Sequence, residues 1–185
     1  MDSKLQIISG TYRGRKLALP DGARPTQNMA RAAVFNMLGG ILGPGNKIVV
    51  WDAFAGSGAL GIEMLSRYAN SSVVFTDVSG ESIKAIRKNT EKITANRICI
   101  VVSDAMSVIK KYGMQVNLIF VDPPYENAYL GIGFIEKLAG NVAPGTLVVQ
   151  EIEKVVPYSP DISKWEILRD KTYGRARFLV LQRRN

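Results

Sequence analysis

A glycine-rich turn directly after a short apolar run constrains the fold of this chain more than any other feature. The apolar run, Lys47 to Trp51, leads into the segment Asp52-Ala53-Phe54-Ala55-Gly56-Ser57-Gly58-Ala59-Leu60-Gly61. Glycines at a strand-to-helix turn let the backbone approach a ligand where any Cβ would collide. The segment therefore predicts a strand, a ligand-binding turn and a helix, the first unit of an α/β sheet.

Strands and helices alternate along the rest of the chain, so we predict an α/β fold with a mostly parallel sheet. The predicted strands are Lys47 to Trp51, Ser72 to Thr76, Arg97 to Val102, Val116 to Val121, Thr146 to Glu151, Trp165 to Arg169 and Ala176 to Gln182. The predicted helices are Ala59 to Tyr68, Glu81 to Ile93, Ala105 to Tyr112 and Tyr129 to Asn141. Because only residues 171–175 join the last two strands, we expect the sheet to end in an antiparallel hairpin.

Residues 1–45 differ from this pattern, and we expect them to form a basic appendage to the domain of residues 46–185, within one compact unit. Leu5 to Leu19 is strand-like and is followed by a turn at residues 20–22. A helix that Thr26 can cap comes next, with apolar residues on one face. These apolar residues are Ala30, Val34, Leu38 and Ile41.

Composition excludes several classes of protein. The chain has 185 residues, 46% of them apolar, and none of its apolar runs approaches the 18 or so residues of a membrane span. The N-terminus lacks the apolar stretch of a secretion signal, so we expect a cytoplasmic protein. There is no histidine and one cysteine, which excludes disulfides, thiolate metal sites and histidine-dependent nucleophiles. We expect no metal, and we expect Cys99 to be a small core residue.

The net charge of +8 is concentrated at the two ends of the chain. Residues 1–31 carry six basic and two acidic groups, residues 164–185 carry seven and two, and the middle is nearly neutral. Solvated termini tolerate such charge, but two basic ends around a neutral body favour a surface that contacts phosphates.

The glycine turn is compatible with two cofactors. Gly56, Gly58 and Gly61 satisfy the G-x-G-x-x-G pattern and Asp77 follows 19 residues after Gly58, as in nicotinamide-binding proteins. Asp52, however, would repel a pyrophosphate on the helix N-terminus. S-adenosylmethionine carries a cationic sulfonium and a cationic ammonium group, which a nearby carboxylate stabilises. The sign of the charge therefore favours S-adenosylmethionine.

Two further acids follow predicted strands. Asp77 can accept hydrogen bonds from both ribose hydroxyls of an adenosine, and Asp104 can accept one from the adenine amino group. Alternatively, Asp77 is a solvated acid at a strand end and Asp104 is the N-cap of the following helix. Because strand ends meet at one edge of a parallel sheet, Asp52, Asp77 and Asp104 together predict a ligand crevice at that edge.

The segment Asp122-Pro123-Pro124-Tyr125 directly follows a fully apolar strand. The amine of a nucleobase is a poor nucleophile, because its lone pair is delocalised, and it needs acceptors that hold its two N–H groups. The Asp122 carboxylate and the Pro123 carbonyl can be those acceptors, and two prolines make the corner rigid. Tyr125 offers a face on which an extruded base stacks. The alternative is a Pro-Pro turn with a capping Asp.

In this order and spacing, the two motifs resemble class I methyltransferases with a [D/N/S]-P-P-[Y/F/W] motif. Four further segments resemble the RsmD family, which methylates N2 of a guanine in 16S ribosomal RNA. They are Gln6 to Leu17, Arg24-Pro25-Thr26 with Arg31 and Phe35-Asn36, Phe54 to Gly61, and Lys171 to Gly174. The resemblance spans nearly the whole chain, although Asn28, Met29 and Ala32 replace residues that are charged in the family.

The resemblance implies a Rossmann-like class I methyltransferase fold with seven strands, catalytic residues Asp122 to Tyr125, and a ribosomal RNA partner, expected in a small-subunit particle. It implies cofactor contacts from Asp52, Phe54, Gly56, Ser57, Gly58, Asp77, Asp104 and Ala105. The RNA-binding residues expected at the basic ends are Arg13, Arg15, Arg24, Arg31, Arg175 and Arg177. We expect a monomer. The motifs alone leave open an amino-methyltransferase acting on DNA adenine, DNA cytosine or protein glutamine, a nicotinamide-dependent oxidoreductase, and an inactive RNA-binding module.

Overall fold

The computed structural model describes residues 5–21, 28–43, 45–124 and 128–185. The helices are α1 Asn28–Gly39, α2 Ala59–Arg67, α3 Gly80–Thr90, α4 Ala105–Tyr112 and α5 Ala128–Leu138. The strands are β1 Ile48–Asp52, β2 Ser71–Asp77, β3 Ile98–Val102, β4 Leu118–Val121, β5 Leu147–Glu153, β6 Trp165–Tyr173 and β7 Ala176–Arg183. Short 3₁₀ turns at Ala95–Arg97 and Gly113–Gln115 precede β3 and β4 and were not predicted.

The strands form one seven-stranded sheet in the order β3-β2-β1-β4-β5-β7-β6. The first five strands are parallel, and β7 runs antiparallel to both β5 and β6. This confirms the predicted mostly parallel sheet with a closing antiparallel hairpin. The chain adds β2 and β3 on one side of β1, then returns to place β4 on the other side. The order in which strands are added therefore reverses between β1 and β4, although these two strands are parallel.

Apolar residues cover both faces of the sheet. On one face, Val34 of α1, Ile62 of α2 and Ile86 of α3 belong to a buried cluster with the strand residue Phe75. On the other face, α4 and α5 contribute to a second buried cluster around Trp51. Because both faces are covered, the central strands are apolar without alternation, which is typical of parallel sheets.

Glycines are required where α2 begins. Gly56 and Gly58 have φ values of 53° and 76°, a left-handed conformation that other residues rarely adopt. A Cβ on Gly61 would collide with the ring of Phe75, so this glycine lets α2 lie close against β2.

The N-terminal segment differs from its prediction. Only an isolated bridge between Gln6 and Lys16 forms within Leu5 to Leu19, so the predicted strand is wrong. The segment turns back on itself instead, and Leu5, Ile7 and Leu17 are buried against the sheet core. Burying these side chains stabilises the segment without a strand partner.

Thr26, which was predicted to cap the helix that became α1, lies outside the described residues. Ile41 was predicted on the apolar face of this helix, but α1 ends at Gly39.

Cys99 is exposed, so the prediction of a core residue is wrong. The apolar run 98–102 suggested a buried strand, but β3 is the edge strand of the sheet and none of its residues is fully buried. Within the described ranges, none of the helices has the length and apolar character needed to cross a membrane.

Candidate active site

The candidate site lies at the carboxyl ends of β1 and β4, the point where the strand order reverses. These strands are neighbours, with Asp52 opposite Phe120, so the glycine turn after β1 and the Asp122-Pro123-Pro124 corner after β4 emerge side by side. In open α/β sheets the ligand crevice forms at such a point. Asp77 is the last residue of β2, and Asp104 lies two residues after β3, at the same edge.

Backbone hydrogen bonds fix the glycine turn to the neighbouring strands. The Gly56 N–H donates to Asp77 Oδ2 at 2.8 Å, and the Gly61 N–H donates to Asp52 Oδ2 at 3.0 Å. The buried Asn89 side chain donates to the Ser57 carbonyl and also to the Ala18 carbonyl, each at 2.9 Å. The turn is therefore preorganised, and the N-terminal segment is tied to it.

Asp52 is almost fully buried. Burial raises the pKa of its carboxyl from 3.8 to about 7, a shift that the Gly61 N–H opposes and the charge of Asp77 reinforces. A bound cation would stabilise the ionised form of this carboxyl, because the opposite charge offsets the free-energy cost of burying a carboxylate.

Asp77 and Asp104 are held as acceptors at the crevice edge. Asp77 accepts from Gly56 and, through Oδ1, from the Ser79 N–H at 2.8 Å. Asp104 caps α4 by accepting from the N–H groups of Met106 and Ser107, as its alternative interpretation predicted. An ionised carboxylate has about four acceptor sites, so capping does not exclude a ligand contact.

Two other residues expected to contact the cofactor lie beside these acids. Phe54 is half-buried and packs edge-on against Phe134 with ring centroids 5.3 Å apart, and Ala105 is the buried first residue of α4. These residues give the crevice an apolar side.

At the corner after β4, Asp122 is half-buried, Pro123 is buried and Pro124 is exposed. Tyr125 lies outside the described residues, so its stacking role stays a prediction. Asp122 lines a small cavity of about 10 Å³ together with Arg31, Val121, Glu151 and Phe178.

Arg31 is fully buried, so it cannot serve as the surface phosphate contact that its place in the basic N-terminal end suggested. Its Nη2 donates to the Gln6 carbonyl at 2.5 Å and to Asn28 Oδ1 at 2.7 Å. Burial lowers the pKa of this guanidinium, an effect that nearby Glu63 opposes. No local feature of the sequence indicates this burial, because it arises from α1 turning the arginine toward the sheet rather than toward solvent.

The two arginines of the C-terminal hairpin differ. Arg175 is 87% exposed at the side chain and pairs with Glu153 at 2.9 Å. Arg177 is only 22% exposed, because it donates two hydrogen bonds to Asp170 and one to the Tyr158 carbonyl. The hairpin turn adjoins the end of β5, since Ala176 lies opposite Glu153, so Arg175 is at the carboxyl edge of the parallel strands, where the candidate site lies.

The N-terminal arginines lie elsewhere. Arg13 is exposed and Arg15 half-buried, in a turn whose Thr11 N–H donates to the Ser66 carbonyl near the end of α2. This is the opposite end of α2 from the glycine turn. Arg24 lies outside the described residues.

Two polar residues of β5 were missed at the sequence level. Glu151 is 8% exposed and lines the same cavity as Asp122, and Gln150 is fully buried beside Val121. Glu151 ends the predicted strand Thr146 to Glu151, as the other acids end or follow theirs, so the same signal could have found it, although the observed β5 continues to Glu153. Gln150 carried no comparable signal.

The donor set suits an organic cation rather than a metal ion. Three carboxylates, a backbone turn and aromatic packing surround the crevice, whereas no cluster of three or more metal-ligating side chains occurs in the described part of the chain. The buried Asp52 fits the cationic end of S-adenosylmethionine, and Asp77 fits its ribose.

Solved structures share this architecture. The Escherichia coli protein yhhF is 35% identical with a TM-score of 0.81, and the match covers 97% of each chain. The precorrin-6y C5,15-methyltransferase of Geobacter metallireducens is 15% identical, with a TM-score of 0.65 over 91% of this chain and 94% of its own. The fold and crevice together define a class I methyltransferase.

The family is shown by two comparisons. A family model described as "Conserved hypothetical protein 95" matches residues 5–182, and the chain belongs to this family, the RsmD family. The curated "Ribosomal RNA small subunit methyltransferase D" of Escherichia coli strain K12 is 35% identical over 185 residues, covering 97% of this chain and 90% of that protein.

Proposed function

We propose that this methyltransferase transfers a methyl group from S-adenosylmethionine to the exocyclic N2 amine of a guanine in 16S ribosomal RNA. The observation that carries the proposal is the adjacency of β1 and β4, which places the glycine turn beside the Asp122-Pro123 corner. A cofactor on the turn and an amine at the corner would then meet in one crevice. The name and identity of the Escherichia coli relative support ribosomal RNA as the substrate.

One group of residues would bind the cofactor, and another would hold the amine. The glycine turn, Asp52 and Asp77 would hold S-adenosylmethionine, which supplies an electrophilic methyl group when bound. Asp122 and the Pro123 carbonyl would accept the two N2–H bonds and draw the nitrogen toward a tetrahedral form. The sulfonium would supply the methyl carbon to N2 and depart as a neutral thioether. Asp122 would take up the proton that N2 loses on methylation.

The basic hairpin supports a nucleic acid over a protein substrate. The exposed Arg175 stands at the edge where the candidate site lies, and there it can neutralise a phosphate of the strand that enters the crevice. A glutamine side chain would gain nothing from this charge. The buried carboxyl of Asp52 likewise favours a sulfonium cofactor over the pyrophosphate of a nicotinamide dinucleotide.

The test is transfer of a labelled methyl group into small-subunit particles that lack the modification, with naked 16S RNA and duplex DNA alongside. We expect label in RNA and N2-methylguanosine in its nuclease digest. Label in DNA alone, or at adenine, would overturn the proposal. Comparing particles with naked RNA also shows which form of the substrate is recognised.

A further inference from the structure

The edge strand β6 carries basic and aromatic side chains on one of its faces. Residues directly opposite each other in an antiparallel pair share a face of the sheet. Arg169 lies opposite Val180, and Lys171 lies opposite Phe178. The Tyr173 ring packs against the Phe178 ring with centroids 6.1 Å apart. Val180 and Phe178 belong to the buried cluster that includes residues of α1, α2 and α3, so the three β6 side chains lie on that face of the sheet.

The acidic side chain of this part of β6 lies on the other face. Asp170 lies opposite Leu179, which belongs to the cluster around Trp51, and it pairs with Arg177 at 2.7 Å. The charge of Asp170 is therefore offset within the hairpin. Glu166 shares the face of the basic residues, but it lies near the start of β6, before the register shift in the middle of the strand. Beyond this shift, that face of β6 exposes two cations and an aromatic ring.

Arg169, Lys171 and Tyr173, the β6 row, lead toward the candidate site. Alternate residues of a strand are about 6.6 Å apart, so the row is about 13 Å long. Because β5 and β6 both run antiparallel to β7, Tyr173 lies at the carboxyl edge of the parallel strands, beside the turn with Arg175. In the sheet order, β5 and β7 separate β4 from β6, so the row ends about three strand spacings, or about 14 Å, from the Asp122 corner. A polynucleotide spans that distance with a few nucleotides.

Two explanations of the β6 row differ in what they require. Charged side chains on an edge strand prevent it from pairing with another chain. That role needs charge of either sign, and it gains nothing from Tyr173, which is 46% exposed. Surfaces that bind single-stranded nucleic acid combine cations, which contact phosphates, with aromatic rings, on which bases stack. Because an exposed ring continues the row of cations, the pattern favours a single RNA strand as its occupant.

Resting on the proposed function, we propose that the β6 row binds the single-stranded RNA segment that adjoins the target guanine. Arg169 and Lys171 contact successive phosphates of this segment, and Tyr173 stacks on one of its bases. The segment is thereby held in line with the crevice while the target base occupies the Asp122 corner. The row contacts RNA next to the reacting base and takes no part in methyl transfer itself.

Filter binding of a single-stranded RNA of about 12 nucleotides, at several salt concentrations, tests the two cations. Arg169→Ala and Lys171→Ala should each reduce the slope of log affinity against log salt by roughly 0.7, because each removes one phosphate contact. Lys164→Ala is the matched control and should keep the wild-type slope, since Lys164 is exposed at the opposite end of β6 and pairs with Asp161. Wild-type slopes in both β6 variants, or no binding of this RNA by the wild-type protein, would overturn the inference.

Variants of Tyr173 test the stacking contact. Tyr173→Ala should weaken RNA binding by roughly 5–150-fold, the range that stacking on one base supplies, without changing the salt slope. Tyr173→Leu keeps apolar packing against Phe178 but lacks the aromatic face, so it should bind as weakly as Tyr173→Ala. Tyr173→Phe should bind like the wild type. Wild-type affinity in Tyr173→Leu, or equal losses in Tyr173→Phe and Tyr173→Leu, would overturn the stacking role.

Two further outcomes separate this inference from its alternatives. Polyglutamate carries negative charge without bases, so it should compete poorly with the RNA; equal competition would indicate an acidic protein partner and overturn the inference. Methylation at guanine N2, with wild-type RNA binding in every β6 variant, would overturn only this inference. The expected changes in RNA binding, without methylation of any RNA, would overturn the proposed function and leave the β6 row as an RNA-binding surface.

Discussion

At the scale of single residues, the site is a set of carboxyl groups made different by their surroundings. Asp52 is buried with a raised pKa, Asp77 holds two backbone N–H groups, and Asp122 is half-buried at a rigid corner. One residue type can therefore attract a cation, orient a ribose and hold an amine, because burial and hydrogen bonds set what each carboxyl does.

Asp52 predicts that cofactor affinity depends on pH. In the free protein its carboxyl has a pKa of about 7, so it holds a proton below that pH. A bound cation favours the ionised form, so binding below pH 7 must release this proton and is weaker there. Affinity for S-adenosylmethionine should rise as pH increases from 6 to 8.

Calorimetry in buffers of different ionisation enthalpy measures both the affinity and the proton release. Asp52→Asn should bind more weakly and lose the pH dependence. Equal affinity of the wild-type protein at pH 6 and pH 8 would show that the carboxyl does not face the cation.

Asp77 predicts a separate loss of cofactor binding. Asp77→Ala removes two ribose hydrogen bonds, each worth about 1.5–3 kcal/mol when made to a charged group, and also frees the Gly56 N–H. Equilibrium dialysis should show much weaker cofactor binding with RNA binding nearly intact. Asp161→Ala, at an exposed position distant in sequence, is the control. Wild-type cofactor affinity in Asp77→Ala would refute the role of Asp77.

Asp122 predicts a loss of turnover without a loss of cofactor. Asp122→Ala keeps the glycine turn and Asp77, so cofactor affinity should change little while single-turnover methylation of RNA falls by about two to four orders of magnitude. Asp122→Asn should be less damaged, because the amide keeps one carbonyl acceptor and the shape. Wild-type turnover in Asp122→Ala would mean that the corner does not hold the amine.

At the scale of secondary-structure elements, the C-terminal hairpin extends the sheet and brings the exposed Arg175 to the edge where the candidate site lies. Lys154 N–H donates to the Arg175 carbonyl at 2.8 Å, which fixes the turn of the hairpin against the end of β5. The face of β6 is mostly exposed, whereas β7 is buried between β5 and β6. The hairpin can therefore present charge to RNA without weakening the core.

Arg175 and Arg177 provide a matched pair that tests this surface. Arg175→Ala should reduce the slope of log RNA affinity against log salt by roughly 0.7–0.9, because one phosphate contact is lost. Arg177→Ala should leave the slope nearly unchanged and lower the urea midpoint instead, since Arg177 joins Asp170 to the Tyr158 carbonyl. Filter binding at several salt concentrations gives the slopes. Equal slopes for Arg175→Ala and the wild type would exclude Arg175 as a phosphate contact.

At the scale of the whole molecule, one buried carboxylate connects the N-terminal segment to the sheet domain. Glu63 of α2 is fully buried and accepts from the N–H groups of Ile8 and Ser9 and from Arg67 Nε, at 2.7–3.0 Å. Together with Asn89, which holds Ala18 to the glycine turn, it makes the segment part of the same packed unit.

Glu63→Ala should therefore destabilise the protein and release the segment. It leaves two N–H groups and a charged arginine without their acceptor, a cost of about 3–5 kcal/mol by analogy with broken buried ion pairs. Urea unfolding should show a lower midpoint, and hydrogen exchange at Ile8 and Ser9 should accelerate. Glu81→Ala, which breaks only the exposed pair with Lys84, should leave both measurements nearly unchanged. If the Ile8 and Ser9 amides of Glu63→Ala exchange as slowly as those of the wild type, Glu63 does not hold the N-terminal segment.

The elements of the sheet and the motifs at its edge could be predicted from the amino-acid sequence. Apolar runs define β1, β2, β4 and β5, and local chemistry marks the glycine turn and the Asp122-Pro123-Pro124 corner, because backbone freedom and strand burial leave direct traces in residue type. Strand-end acids were also visible, although Glu151 was overlooked. These features reflect interactions between a residue and its immediate neighbours in the chain.

Which side chains are buried and which of them contact one another could be seen only in the folded protein. Cys99 proved exposed because strand order put β3 at the edge, Arg31 proved buried because α1 packs on the sheet, and Arg177 is held by Asp170 within the hairpin. Burial and ion pairing depend on residues far apart in sequence. The charge and hydropathy of neighbouring residues in the chain therefore do not predict them. The cavity formed by Arg31, Asp122 and Glu151 exists for the same reason, since it joins residues from three separate elements.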